Sequence, residues 1–179
     1  MNKLILIAGD LASGKSTIAE YLSKKHAIPT LIKDDMKEIN CDVVGFSTRE
    51  ENLKLSLAAV QEMIYAFRKF IVSKTDIILE ANFRKEELDQ ILKIAMNDKY
   101  EVFAFVFEGD IDILYKRFLD RLPSRNKAHT TLHLEESFEK FKNHILDFRK
   151  NTLDIPYTKI VIDNHTIESL AEQIEKSVF

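Results

Sequence analysis

Gly9-Asp10-Leu11-Ala12-Ser13-Gly14-Lys15-Ser16, followed by Thr17, is the stretch on which the reading of this chain turns. It matches the pattern G-x-x-x-x-G-K-[S/T], and shuffling the chain's own composition would produce such a match roughly once in a thousand sequences. It also holds two of the four glycines in 179 residues. Each position has a chemical reason. Gly9 and Gly14 let the backbone turn and approach a phosphate oxygen without a Cβ in the way. The successive N–H groups of Leu11, Ala12, Ser13, Gly14, Lys15, Ser16 and Thr17 can then form an anion nest, reinforced by the positive end of a following helix. Lys15 would reach the β- and γ-phosphates of ATP, and Ser16 would offer its hydroxyl to Mg²⁺. Thr17 can satisfy the helix start or touch the α-phosphate.

The context on either side agrees. Five short apolar runs read as buried strands: Lys3 to Ala8, Pro29 to Ile32, Asp76 to Ala81, Tyr100 to Phe107 and Lys159 to Asp163. Their β-branched and aromatic content, without polar alternation, suits parallel strands covered on both faces. Helix-period segments separate them. Ile18 and Leu22 follow the loop, and Leu53, Leu57, Val60, Ile64, Phe67 and Ile71 step by four and three. Further apolar faces are Leu88, Ile91, Leu92 and Ala95; Ile111, Leu114 and Phe118; Leu134, Phe138, Phe141, Ile145 and Phe148; and Ile167, Leu170 and Ile174. Alternating strands and helices predict an α/β fold with a parallel sheet, in one domain over residues 1–179. The one shift in composition, Arg117 to Thr131, is basic, polar and interrupted by Pro123, and reads as a surface excursion.

The bulk numbers exclude other classes. Hydrophobic residues make up 45% and charged residues 31%, with three Pro, so disordered, fibrous and linker-like chains do not fit. A net charge of −3 argues against a dedicated nucleic-acid binder. The single cysteine, Cys41, forms no intrachain disulfide and suits a reducing compartment, with the cytoplasm expected. The run Leu4 to Ala8 is too short for a secretory leader, and no run approaches the ~18 apolar residues of a membrane span.

Three further signals lie where the strands of such a sheet end, the place where ligands collect. Lys33-Asp34-Asp35-Met36-Lys37-Glu38 follows the second strand. Paired carboxylates there can accept a proton from an attacking hydroxyl and orient substrate or metal-bound water, or they can simply cap a helix. The run Ile77-Ile78-Leu79-Glu80-Ala81-Asn82 places a carboxylate at the end of the third strand, facing ligand or solvent. Arg117, Arg121 and Arg125 are spaced by four, and Pro123 should put Arg125 in a loop past the helix. His129 and His133 share helical spacing, but no third metal ligand accompanies them, and they read as polar loop residues.

In this order of parts the chain resembles the zeta-toxin and polynucleotide-kinase-like group of phosphate-loop kinases, and more distantly gluconate, shikimate and chloramphenicol kinases. The resemblance implies a three-layer α/β/α fold with a five-stranded parallel sheet in the order 2-3-1-4-5 and a mobile lid over about 117–134. It implies ATP and Mg²⁺ as cofactors and transfer of the γ-phosphate to a hydroxyl of a small molecule, whether metabolite, nucleotide or nucleotide-sugar. Asp34 takes the general-base role and can touch Mg²⁺ through water. Asp35 or Glu80 positions substrate or metal-bound water, and Asn82 orients substrate. Arg121 matches the main lid arginine, with Arg117 and Arg125 closing beside it on ATP. Asp163-Asn164-His165 lies where such kinases pass the adenine. In polynucleotide kinases the acidic motif ends in Arg, which grips a substrate phosphate. Here that position is Lys37, a point charge without the bidentate fork, which argues against a nucleic-acid 5′-end as substrate. Two other classes remain open on sequence alone: an ATP-binding regulatory module, and a 5′-hydroxyl nucleic-acid kinase.

Overall fold

Within each central strand, successive side chains serve two different cores. Ile5 and Ile7 of β1 (Lys3–Gly9) join one cluster, while Leu4, Leu6 and Ala8 join the other. The same split divides Ile78 from Ile77 and Leu79 in β3 (Ile77–Glu80), and Phe105 and Phe107 from Ala104 and Val106 in β4 (Glu101–Glu108). Both faces of the sheet are therefore covered, which is why these strands carry no polar alternation. A computed structural model describes all 179 residues. Its remaining elements are α1 (Lys15–His26), β2 (Thr30–Ile32), α2 (Lys33–Val44), α3 (Arg49–Val72), α4 (Lys85–Asn97), α5 (Ile111–Arg121), α6 (Phe138–Lys150), β5 (Thr158–Val161) and α7 (Ile167–Val178).

The sheet is parallel throughout and ordered β2-β3-β1-β4-β5, as the resemblance implied. One core lies under α1, α5, α6 and α7 and contains Ile18, Leu22, Leu114, Phe118, Phe141 and Ile174. The other lies under α3 and α4, around Val60, Met63, Phe67, Leu88 and Ile91. The architecture is thus a three-layer α/β/α sandwich with β1 at its centre. No helix is long and apolar enough to cross a membrane.

Two helices depart from their sequence patterns. The apolar stripe expected from Leu53 and Leu57 is not what α3 buries in its first half, because these two are 44% and 48% exposed. The buried line runs instead from Asn52 through Ala59, Val60, Met63, Ile64 and Phe67 to Ile71. The helix start is fixed by a capping box rather than by packing: Thr48 Oγ1 accepts from the Glu51 N–H at 3.2 Å, and Glu51 accepts from the Thr48 N–H at 3.2 Å. Likewise α6 begins at Phe138 behind a Ser137 cap, so Leu134 packs from a separate 3₁₀ turn. Pro123 acts as expected: α5 stops at Arg121, a 3₁₀ turn covers Leu122–Ser124, and Arg125 lies beyond it.

Gly9 cannot be exchanged. Its φ is +138°, and a Cβ there would run into the Phe107 backbone of the neighbouring strand. Gly9→Ala is expected to destabilise the chain by about 2–4 kcal/mol, since both strain and overlap with backbone must be relieved. A denaturant midpoint indistinguishable from that of the parent would contradict this packing.

Candidate active site

The loop after β1 wraps a cavity of about 400 Å³ lined by Leu11, Ala12, Ser13, Gly14, Lys15, Ser16 and Thr17. Ala12 and Gly14 both have positive φ, 64° and 86°, and turn the chain so that α1 starts at Lys15 with its N-terminus toward the cavity. A non-glycine residue such as Ala12 in this left-handed region carries a strain cost. Gly9 and Asp10 lie beneath the loop and do not line the cavity. The Asp10 carboxylate is fully buried and turned away from it, accepting from the Gly109 N–H at 3.1 Å and from Arg149 Nη2 at 2.6 Å. Arg149 also donates to the Gly109 carbonyl at 2.6 Å, so α6 anchors the loop from below. Sequence reasoning missed Arg149; its partner lies 139 positions away and no local pattern marks it.

Lys15 is half-buried, and its ammonium donates to the Asp10 carbonyl at 2.6 Å. Burial lowers its pKa, opposed by the carboxylates of Glu80, Asp34 and Asp10. Glu80, at the end of β3 and only 5% exposed, accepts from Ser16 Oγ at 2.9 Å. Burial raises its pKa, against the pull of Lys15, with Asp34 adding to the rise. The Ser16–Glu80 pair is thus one hydroxyl and one carboxylate side by side beneath the cavity, with Asp34 and Asp35 on its wall. No group of three or more His, Cys, Asp and Glu side chains forms a protein-only cage for a metal. Few protein oxygens beside a phosphate cradle is the donor set that suits Mg²⁺, which keeps waters and takes phosphate oxygens as ligands.

Asp34 and Asp35 stand in the first turn of α2, where they complement the helix dipole. Neither caps it, because the N-cap is Ile32 and no side-chain cap bond is made. Both line the loop cavity. A second cavity, about 250 Å³, adjoins the first and contains Lys33, Lys37, Asn82, Ala128 and His144. Six residues line both: Leu11, Lys15, Asp34, Glu80, Arg125 and His129. Asp34 therefore stands at the seam, whereas Asp35 does not reach the second cavity. Asp35's pKa is raised by burial and by the nearby carboxylates of Glu38, Glu20 and Asp34. Asn82 spends its carbonyl oxygen on the Gly9 N–H at 3.0 Å and presents the rest of its amide to the second cavity.

The three arginines are spread along the site. Arg117 lines a third cavity with Thr17 and His165, on the far side of the loop, and Arg121 is shared between that cavity and the first. Arg125 stands at the seam, its guanidinium 4.9 Å from the Phe118 ring centre. Of Asp163-Asn164-His165, only His165 lines the third cavity, while Asp163 accepts from the Asp110 N–H at 2.9 Å.

His129, read from sequence as a polar loop residue, is a member of the seam. Its Nε2 lies 2.9 Å from Glu38 Oε1 and its Nδ1 4.0 Å from Asp34 Oδ2. A carboxylate only accepts, so the ring donates from Nε2 and turns Nδ1 toward Asp34. His133 is exposed and pairs with Glu135 instead, so the two histidines do not converge. Burial, helped by Lys37 and Arg125, lowers the His129 pKa against the pull of Asp34 and Glu38. The sign follows: below 6.5 the unfolded chain takes up this proton before the folded one, so His129 makes stability fall as pH drops through that window. His144 is also lowered, chiefly by burial, and acts in the same direction. His129→Gln is expected to flatten, without abolishing, the loss of thermal stability just below pH 6.5. An unchanged slope would mean that His129 is equally basic in both states.

No protein-family model matches the sequence, and no curated protein matches it. Solved structures do. A candidate kinase from Chloroflexus aurantiacus superposes with a TM-score of 0.78 at 19% identity, over 99% of this chain and 96% of that one. Shikimate kinase from Aquifex aeolicus gives 0.64 at 16% identity over 98% and 95% of the two chains. APS kinase from Mycobacterium tuberculosis, solved with AMPPNP and APS, gives 0.62 at 15% identity over 98% and 96%. At these identities the shared property is the fold, the three-layer α/β/α sandwich of phosphate-loop kinases with its 2-3-1-4-5 sheet.

Proposed function

We propose that this chain is an ATP- and Mg²⁺-dependent phosphotransferase that moves the γ-phosphate to a hydroxyl of a small molecule. The observation that carries this is the seam, where two carboxylates, Asp34 and Glu80, border both a phosphate cradle and an adjoining small cavity; Glu80 is engaged by Ser16, which leaves Asp34 to take a proton from an acceptor. A module that only bound ATP would need the cradle alone. The second cavity, at about 250 Å³, is below the ~300–1,000 Å³ of drug-sized sites, so the acceptor is metabolite-sized.

In this mechanism the loop N–H groups and Lys15 hold the β- and γ-phosphates. Mg²⁺, held by Ser16 with Glu80 and water, would neutralise charge as the phosphoryl group moves. Asp34 accepts the proton of the acceptor hydroxyl while its oxygen forms the new P–O bond and the bond to the leaving ADP oxygen breaks. Arg121 and Arg125 steady the charge on the moving phosphoryl group. Arg117 and His165 flank the base side of the nucleotide. Residues 117–134 form the lid of a single catalytic domain, and its closure excludes water from the transfer. The order of parts supports the zeta-toxin and polynucleotide-kinase-like branch, and the one buried thiol fits a cytoplasmic setting.

A panel of hydroxyl metabolites, nucleotides and nucleotide-sugars, with 5′-hydroxyl oligonucleotides alongside, tests the acceptor class. ATP consumption stimulated by a small hydroxyl compound is expected. Stimulation by oligonucleotides alone would replace the small-molecule reading, and slow hydrolysis with every acceptor would favour a regulatory module.

A further inference from the structure

Residues 126–129, inside the lid, have little structure of their own beyond a single 3₁₀ turn, Lys127–His129. Their position is set from outside. Asn126 Nδ2 donates to both oxygens of Asp42, at 3.2 and 3.3 Å. The next anchor is the carbonyl of Ala128, a residue with no exposed surface. It accepts from Lys37 Nζ at 2.9 Å and from Asn52 Nδ2 at 3.0 Å. His129 then meets Glu38 at 2.9 Å. Every partner belongs to α2 or α3, and α2 also carries Asp34.

The Ala128 contact is the unusual one. A carbonyl oxygen has two lone pairs, and here both are taken by side chains from two different helices. Asn52 is 1% exposed on the buried line of α3, and its only other partner is Cys41 Sγ, at 3.8 Å. A buried amide donor on an apolar stripe needs an acceptor, and the lid carbonyl is the one oxygen that Asn52 Nδ2 donates to. Lys37 directs one of its three ammonium donors to the same place, while its side chain also lines the second cavity.

We propose that Asn52 and Lys37 are positioning residues that clamp the lid through the single carbonyl of Ala128, and so hold His129 and Arg125 at the seam with Asp34. The proposal rests on the phosphotransferase reading for its catalytic meaning, though the clamp itself does not. Ala128, His129, Thr131 and Leu132 also line the second cavity, so the clamp sets the wall against which the acceptor fits.

Two donors on one acceptor give a specific signature. Removing either leaves the carbonyl satisfied by the other, whereas removing both orphans a buried acceptor, which costs more than the sum. Asn52→Leu keeps the heavy-atom count and branching without the donor, and Lys37→Met keeps an unbranched chain, one atom shorter, without the charge. Trypsin cleavage of the full chain after Arg125 and Lys127, followed by mass spectrometry without nucleotide, reads the clamp directly. Each single variant is expected to speed cleavage about threefold and the double variant about thirtyfold. Asn52→Asp, which turns a donor into an acceptor facing the carbonyl, is expected to approach the double variant and serves if the double does not fold. Binding of Mg²⁺–ATP at full stoichiometry checks that the loop is intact in each variant. In ATP turnover the same non-additive loss is expected in kcat per bound nucleotide, with KM for ATP held.

If Asn52 only fills space beside Cys41, Asn52→Leu is silent and the double variant matches Lys37→Met, which overturns the clamp. Independent effects that simply multiply overturn it as well. A parent chain that cleaves slowly and shows the non-additive pattern, yet has no transferase activity, overturns the phosphotransferase reading and leaves the clamp standing.

Discussion

Replacing Lys15 by alanine is expected to lower kcat/KM for ATP by about a thousandfold or more, through both weaker nucleotide binding and slower transfer. Lys15 is the one cation that is part of the phosphate cradle and also lines the seam; Arg125 shares the seam but lies on the lid. The variant should not fail by unfolding. Burial holds the folded-state pKa of Lys15 below its ordinary value, so its charged form costs stability when no phosphate is bound. The thermal midpoint of Lys15→Ala without nucleotide is therefore expected to equal or exceed that of the parent. A loss of activity accompanied by a lower midpoint would instead make Lys15 a structural residue. Activity retained within tenfold would remove the loop from the chemistry.

The second large effect is expected at Asp34. Asp34→Asn keeps the shape of the first turn of α2 and removes the proton acceptor. ATP affinity should persist, because the loop, Lys15 and the Ser16–Glu80 pair are untouched. The rate of transfer should fall by about 10²- to 10⁴-fold, the usual contribution of a positioned general base. Asp35→Asn is the internal comparison. Asp35 lines the loop cavity but not the second one, so its removal should cost much less. Equal losses at both positions would mean that the pair acts through charge rather than through the proton of one hydroxyl. Unchanged transfer in Asp34→Asn would reject it as the base.

Much of this site is legible in the sequence. The phosphate loop is contiguous, so its chemistry is written in one stretch of chain, and the strands announce themselves because parallel strands covered on both faces are apolar throughout. Glu80 could be singled out because a carboxylate ends an apolar strand. The pairings across the fold were not legible. Nothing near Asp10 indicates that its carboxylate belongs to Arg149, and nothing near Ala128 indicates two donors from α2 and α3. Such contacts depend on how the helices pack, and spacing along the chain does not encode them. One clue was available: Asn52 stands two turns, eight residues, before Val60 on the buried line of α3, so a polar residue occupies an apolar phase. The Leu53–Leu57 pattern pointed to the neighbouring side of the helix, because a leucine counts as apolar whether or not anything covers it.

The central claim is that phosphate leaves ATP for a hydroxyl held at the seam. The most direct measurement follows the label from γ-labelled ATP into an acceptor across a panel of small hydroxyl compounds with Mg²⁺, running Lys15→Ala and Asp34→Asn beside the parent chain. The account predicts label on the oxygen of one small acceptor with the parent, none with Lys15→Ala, and label slowed by orders of magnitude but ATP still bound with Asp34→Asn. Label released only as free phosphate, at rates unaffected by either substitution, would contradict it.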